Sequence, residues 1–187
     1  MTPMTIASPG GSAAGTGFDT PLAMLGECHR RVERQCATLV RLVPHLAAHG
    51  SDTAAREAAS AVLRYFDLAG PKHHADEEED LFPALLESVA GSDAVCLREL
   101  TARLAAEHRE FERRWAVLGH ALQEVAQGRP AQLSSADVQG FADLYARHIA
   151  CEEGELLPMA ERLLGDAEIA RIAGAMQRRR GLRPDAG

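Results

Sequence analysis

Two eleven-residue segments of this 187-residue chain answer one another: HHADEEEDLFP begins at His73 and HIACEEGELLP at His148. They coincide at the first histidine, at the glutamates four and five residues on, and at a closing Leu-(Phe/Leu)-Pro. A second pair precedes them. CHRRVERQCATL, around His29, aligns with EHREFERRWAVL, around His108, at His, Arg, Glu, Arg and Leu. The chain therefore reads as two helical hairpins of related sequence, each carrying one isolated histidine and one His-x-x-x-Glu. In a helix, residues four apart share a face one turn apart, so each His-x-x-x-Glu aims an imidazole and a carboxylate at one point.

Helix boundaries follow from local signals. Pro21 suits a first helical turn and Gly50 a helix end, so helix 1 is expected from about Pro21 to His49. Leu22, Leu25, Val32, Leu39, Val43 and Leu46 recur at helical spacing along it. Helix 2 is expected from a cap at Ser51 or Asp52 to about Ala90, kinked or briefly broken at Gly70-Pro71. Helix 3 should start after Gly91, capped by Ser92 or Asp93, and end near Gln127-Gly128. Helix 4 should start at Ser134 or Ser135, with Asp137 in a capping-box position, and run to about Leu164. A short fifth helix is expected over 167–179, and no stretch alternates as a strand would. The fold class is all-α: an up-down-up-down four-helix bundle with a short C-terminal fifth helix.

In such a bundle, residues at one level on consecutive helices are equidistant from the turn joining them. The midpoint of His29 and His73 is 51, that of His73 and His108 is 90.5, and that of His108 and His148 is 128. All three fall at the turns placed from glycine and cap signals. The four histidines are thus expected on one layer, with Glu77 and Glu152 beside them. Metal sites inside four-helix bundles are built from inward side chains in this way. Six donors exceed the needs of one tetrahedral zinc. Two ions bridged by Glu77 and Glu152 would use all six, with iron the expected metal and manganese or zinc the alternatives.

The carrying residues are His29, then His73-His74 with Glu77-Glu78 and Leu81-Phe82-Pro83, then Glu107-His108, then His148 with Glu152-Glu153 and Leu156-Leu157-Pro158. Over roughly residues 20–165 this pattern resembles the hemerythrin-like HHE cation-binding family. The resemblance implies a four-helix bundle with a non-haem di-iron site that handles oxygen, nitric oxide or peroxide. Oxygen-carrying hemerythrins use five histidines, whereas this repeat supplies four. The four-His, two-Glu set is more similar to the iron-sulfur-repair branch, which responds to nitrosative and oxidative stress. That branch usually carries an N-terminal cysteine-pair module, and residues 1–20 contain no cysteine. The functional expectation is a di-iron protein that binds or reacts with a small oxidant. The rival is an oxygen, redox or iron sensor that acts through a partner without turnover.

Other residues are assigned lesser roles. His74 aligns with Ile149 and is not taken as a ligand. Glu78 and Glu153, one residue round the helix, should bond a neighbouring helix or face solvent. Glu33 and Glu112 sit four residues after their histidines and are weighed as groups around the site or as replacements for a ligand. Tyr145 and Trp115 share the inward face and read as core. Cys28, Cys36, Cys96 and Cys151 show no zinc-like spacing and read as small buried residues in a reducing cytoplasm.

The formal charge of −7 argues against a nucleic-acid groove, which needs a basic face. The run Arg178-Arg179-Arg180 reads as a solvated tail. No apolar stretch approaches the roughly 20 residues of a membrane span, and no secretory signal is read at the N-terminus. Three segments are expected: a disordered lead-in over 1–19, the bundle over 20–165, and a short helix with a basic tail over 166–187. The expected ligand is a diatomic or peroxide, and the expected assembly a monomer or homodimer with an electron-transfer partner left open.

Overall fold

The computed structural model describes residues 20–182. The expected lead-in over 1–19 and the last five residues lie outside that range. Among the described residues there is no strand. Helix α1 spans Pro21–His49, the bounds read from Pro21 and Gly50. Gly50 leaves the helix at φ +65°, a conformation costly for a residue with a Cβ, and its N–H bonds Leu46 O at 2.9 Å. Helix α2 covers residues 53–87, and the Asp52 carboxylate caps it by accepting the Ala55 N–H at 2.8 Å. Helix α3 is Gly91–Ala126. Helix α4 covers residues 135–163, with Ser134 Oγ accepting the Asp137 N–H at 3.2 Å. Helix α5 is Asp166–Arg179, where Glu168 reaches back to the Gly165 N–H at 3.1 Å.

Three boundary expectations change. Helix α3 begins at Gly91, before Ser92 and Asp93, so neither occupies the capping position. Instead Ala90 is extended and Gly91, at φ +67°, turns the chain directly into the helix. Nor is α2 broken at Gly70-Pro71. A proline has no N–H to donate, and its ring collides with the carbonyl four residues back. The helix absorbs this with a wide π turn over Tyr65–Ala69, in which the Gly70 N–H bonds Tyr65 O. The same device recurs at Glu77–Leu81 before Pro83 and at Glu152–Leu156 before Pro158. The repeated Leu-(Phe/Leu)-Pro thus marks a π turn in each half of the chain, and each turn begins on a glutamate of the repeat.

The third change is at the C-terminus. Of the basic run only Arg178 is exposed, as a solvated tail would be. Arg179 and Arg180 are largely buried and both donate to the Asp76 carboxylate, whose side chain is fully buried; Arg179 also reaches Glu79 and Asp80. Ile172 and Met176, both 0 % exposed, complete the attachment of α5 to the bundle.

The core has two apolar compartments. One holds Val32, Leu39, Val62, Phe66, Phe111, Leu122, Val125 and Phe141. The other holds Leu25, Leu81, Leu85, Leu97, Leu104, Leu156, Ile172 and Met176. Along every helix of the bundle the repeat histidines and glutamates fall between the two. No helix among the described residues is long and apolar enough to cross a membrane.

Candidate metal centre

The six residues singled out by the repeat meet in one buried layer: His29, His73, Glu77, His108, His148 and Glu152 are each at most 2 % exposed. They form two sets that could hold an ion. One is His29, His73, Glu77 and Glu152; the other is His108, His148, Glu77 and Glu152. Within each set the donor atoms lie within 4.8 Å of one another. Each carboxylate belongs to both. Glu77 turns Oε1 to His73 Nε2 at 3.3 Å and Oε2 to His108 Nε2 at 3.3 Å. Glu152 turns Oε2 to His29 Nε2 at 3.0 Å and Oε1 to His148 Nε2 at 3.2 Å. His108 Nε2 and His148 Nε2 face one another at 3.1 Å.

These are the spacings of atoms around a shared point rather than of donor and acceptor. His29 Nε2, Glu77 Oε2 and both Glu152 oxygens are buried without a hydrogen-bond partner among the described residues. Leaving a buried polar atom unpaired is costly, so their common direction needs a cause. Donors about 2.1 Å from one ion and at right angles to each other sit about 3 Å apart, which is the separation seen. The donor set therefore fits a metal-binding site.

The electrostatics are those of a compensated cluster. Burial opposes ionisation of Glu77, but His73, His108 and His29 outweigh it and hold that carboxyl well below its usual range. Burial and the neighbouring Glu77 both raise Glu152, yet His148 and His29 leave it lowered. For His29, burial disfavours the charged ring, but Glu152 and Glu77 raise it to about 10. Burial lowers His73.

A surrounding set of carboxylates fixes three rings. His108 Nδ1 lies 2.7 Å from Glu78, His148 Nδ1 2.7 Å from Glu107, and His29 Nδ1 3.1 Å from Glu153. Arg109 in turn grips Glu78 with two hydrogen bonds. A carboxylate on the far nitrogen sets the tautomer and aim of a metal-binding imidazole. Glu78 and Glu153 were expected to bond a neighbouring helix or face solvent; both bond a neighbouring helix, and Glu153 stays half exposed as well. Glu107 was missed as an acceptor, although it directly precedes His108. Glu33 and Glu112 are exposed and stand apart from the layer. His74 lies flat on His108, ring centroids 4.0 Å apart, and burial keeps it neutral. Tyr145 is core, as read: it stacks on Phe111 at 3.6 Å, with its hydroxyl 3.5 Å from His74 Nε2. Cys151 is half-buried rather than buried, with Arg103 Nη2 donating to its sulfur at 3.0 Å.

Comparison with known proteins agrees with this geometry. The model of the hemerythrin HHE cation-binding domain matches residues 20–160. An uncharacterized protein of Haemophilus influenzae is 31 % identical over 163 residues, covering 87 % of this chain and 91 % of that protein. A buried layer of paired histidines and shared carboxylates, on helices matched along their length, leaves one family: the chain belongs to the hemerythrin HHE cation-binding domain family.

Proposed function

We propose that His29, His73, Glu77, His108, His148 and Glu152 hold two iron ions, and that this centre binds or reacts with oxygen, nitric oxide or peroxide. The observation that carries the reading is the double role of the carboxylates. Glu77 and Glu152 each present one oxygen to either histidine set, while Glu77 Oε2 and both Glu152 oxygens are buried without a hydrogen-bond partner among the described residues. Imidazole with shared carboxylate is a donor mixture suited to iron. Bound there, two irons supply redox change and open coordination positions for a small molecule.

The protein's own contribution is positional. Glu78, Glu107 and Glu153 aim three of the imidazoles, and Arg109 steadies Glu78. The two apolar compartments on either side exclude bulk water. His74 and Phe82 line the flank of His108 with ring faces. Glu77 and Glu152 are already held ionised, whereas His29, raised to about 10 by those same carboxylates, would have to release a proton before its Nε2 could bind an ion.

The test is metal analysis with an optical spectrum on anaerobically purified protein, repeated after air exposure. About two irons per chain, with charge-transfer bands developing in air, is the expected result. His148→Ala should lose most of the iron. Zinc alone, or no metal after reconstitution with ferrous iron, refutes the proposal.

A second reading, a redox or iron sensor without turnover, draws on one observation. Asp76, the residue before Glu77, is the anchor of α5 through Arg179 and Arg180. A change at Glu77 would be felt at that helix. Consumption of peroxide or nitric oxide favours the first reading. Redox-dependent exchange protection of α5, or a changed oligomeric state, without consumption favours the second.

A further inference from the structure

We propose that the two metal positions are unequal: the His108–His148 position binds an ion more tightly, and the His29–His73 position is the weak, exchangeable one. The inference rests on the metal-centre reading above. It comes from a broken symmetry in the carboxylates behind the histidines.

The two hairpins are related so that α1 corresponds to α3 and α2 to α4. Under that relation Glu78 on His108 corresponds to Glu153 on His29, and both contacts are made. Glu107, the residue before His108, bonds His148. Its counterpart, the residue before His29, should bond His73. That residue is Cys28. A cysteine side chain is two atoms shorter than glutamate, and its sulfur is a weak acceptor. His73 Nδ1 is accordingly buried and without a hydrogen-bond partner among the described residues. It is the one repeat histidine whose far nitrogen no side chain holds.

Two further differences point the same way. Glu153 stands 3.1 Å from His29 and is 48 % exposed, against 2.7 Å and 21 % for Glu78 on His108. Arg109 clamps Glu78 through both oxygens, whereas Arg30, its counterpart, pairs with Glu27 at 2.7 Å. In the His108–His148 pair both rings are aimed by carboxylates. In the His29–His73 pair one ring is held loosely and the other not at all. An unaimed imidazole must be ordered by the ion itself, which lowers affinity. Loss of such an outer partner typically weakens metal binding by about 10–100-fold.

Because a first ion repels a second even in a symmetric site, the comparison needs single-position variants. His73→Ala disables one position and His148→Ala the other, at corresponding places in the repeat. Each variant, shown folded by circular dichroism, is titrated anaerobically with ferrous iron, and with cobalt(II) as a spectroscopic probe. The His73→Ala protein should bind one ion about 10–100-fold more tightly than the His148→Ala protein. Cys28→Glu in the otherwise native chain should strengthen the second binding step, whereas Cys28→Ala should leave it unchanged. This arm does not depend on either alanine variant folding. Equal affinities in the two single-position variants, or a second step unmoved by Cys28→Glu, overturn the inference while the metal centre stands. Absence of binding in the native chain overturns both.

Discussion

Replacing Arg179 and Arg180 together by alanine should strand a carboxylate inside the protein. The Asp76 side chain is 0 % exposed, and both guanidinium groups donate to it. Breaking a buried ion pair from one side costs about 3–5 kcal/mol. A second route sets a ceiling, because a stranded carboxylate can take up a proton. For an ordinary aspartate, with a reference pKa of about 3.9, holding that proton at pH 7 costs about 4 kcal/mol, and about 1.4 kcal/mol less for each pH unit down. The double variant should therefore lose about 3–4 kcal/mol relative to the native protein at pH 7, and about 1.5 kcal/mol at pH 5. The sign follows from proton counting. The folded variant keeps a proton that the unfolded chain releases above about pH 3.9, so its deficit grows as pH rises. Urea denaturation of metal-free native and variant proteins at both pH values measures the difference. Adding Asp76→Asn to the double variant removes the charge and should abolish the pH dependence of the deficit. A loss equal at pH 5 and pH 7, or below about 1 kcal/mol at pH 7, would refute the reasoning.

The metal-free protein should itself be most stable near pH 6.5. The His29 ion pair contributes fully below the ordinary histidine value of 6.5, weakens above it and is gone by about 10; His73 and His74, held neutral by burial, oppose folding as pH falls below 6.5, and Glu77 and Glu152 contribute above the ordinary 4.5 and lose that as pH falls through their lowered values. A melting temperature that climbs steadily to pH 9 would contradict this. Saturating the site at about a thousand times its dissociation constant should add about 4 kcal/mol of stability. A chelator should reverse that gain, and an unchanged melting temperature in denaturation scans would count against a native-state site. Leu122→Ala, at a residue 0 % exposed in the compartment that also holds Leu39 and Phe111, should cost about 2–5 kcal/mol in urea unfolding and leave metal content unchanged. Loss of metal in parallel would mean that the compartments are not independent.

The layer of six residues was legible because a repeat encodes geometry redundantly. Two His-x-x-x-Glu pairs and three matching midpoints place the same plane without reference to any contact. The cap at Asp52, the cap at Ser134 and the ends of α1 were legible for a different reason, since each is fixed by the chain within a few residues. What failed to show was cross-chain pairing. Arg179 and Arg180 meet Asp76 across about a hundred residues, and nothing local to the basic run distinguishes a clamp from a tail. Glu107 was missed because helical spacing from its own histidine points nowhere. Its partner, His148, is on the next helix. The repeat did contain a hint, since an acidic residue precedes His108 where a cysteine precedes His29. Of the kink or short break expected at Gly70-Pro71, the interruption is present but the break is not, because proline chemistry dictates that the ladder must yield but not how, and here it widens by one residue.

Those wide turns also set rules for changing the length of the chain. A π turn holds one residue more than the α ladder around it, so each residue beyond it takes the place its predecessor would have in an uninterrupted helix, turned back by about 100° and set back by about 1.5 Å. In α2 the turn at Glu77–Leu81 stands between the site and Leu85, and in α4 the turn at Glu152–Leu156 stands between the site and Ala160. Removing one residue such as Glu79 or Gly154 would therefore close the turn to α geometry and keep the buried stripe beyond it facing inward. The obstacle to that edit is Pro83 or Pro158, whose ring would meet the carbonyl four residues back. A deletion paired with replacement of that proline is the smallest alteration that shortens either helix in register, whereas a deletion elsewhere along it would turn the following stripe out of the core.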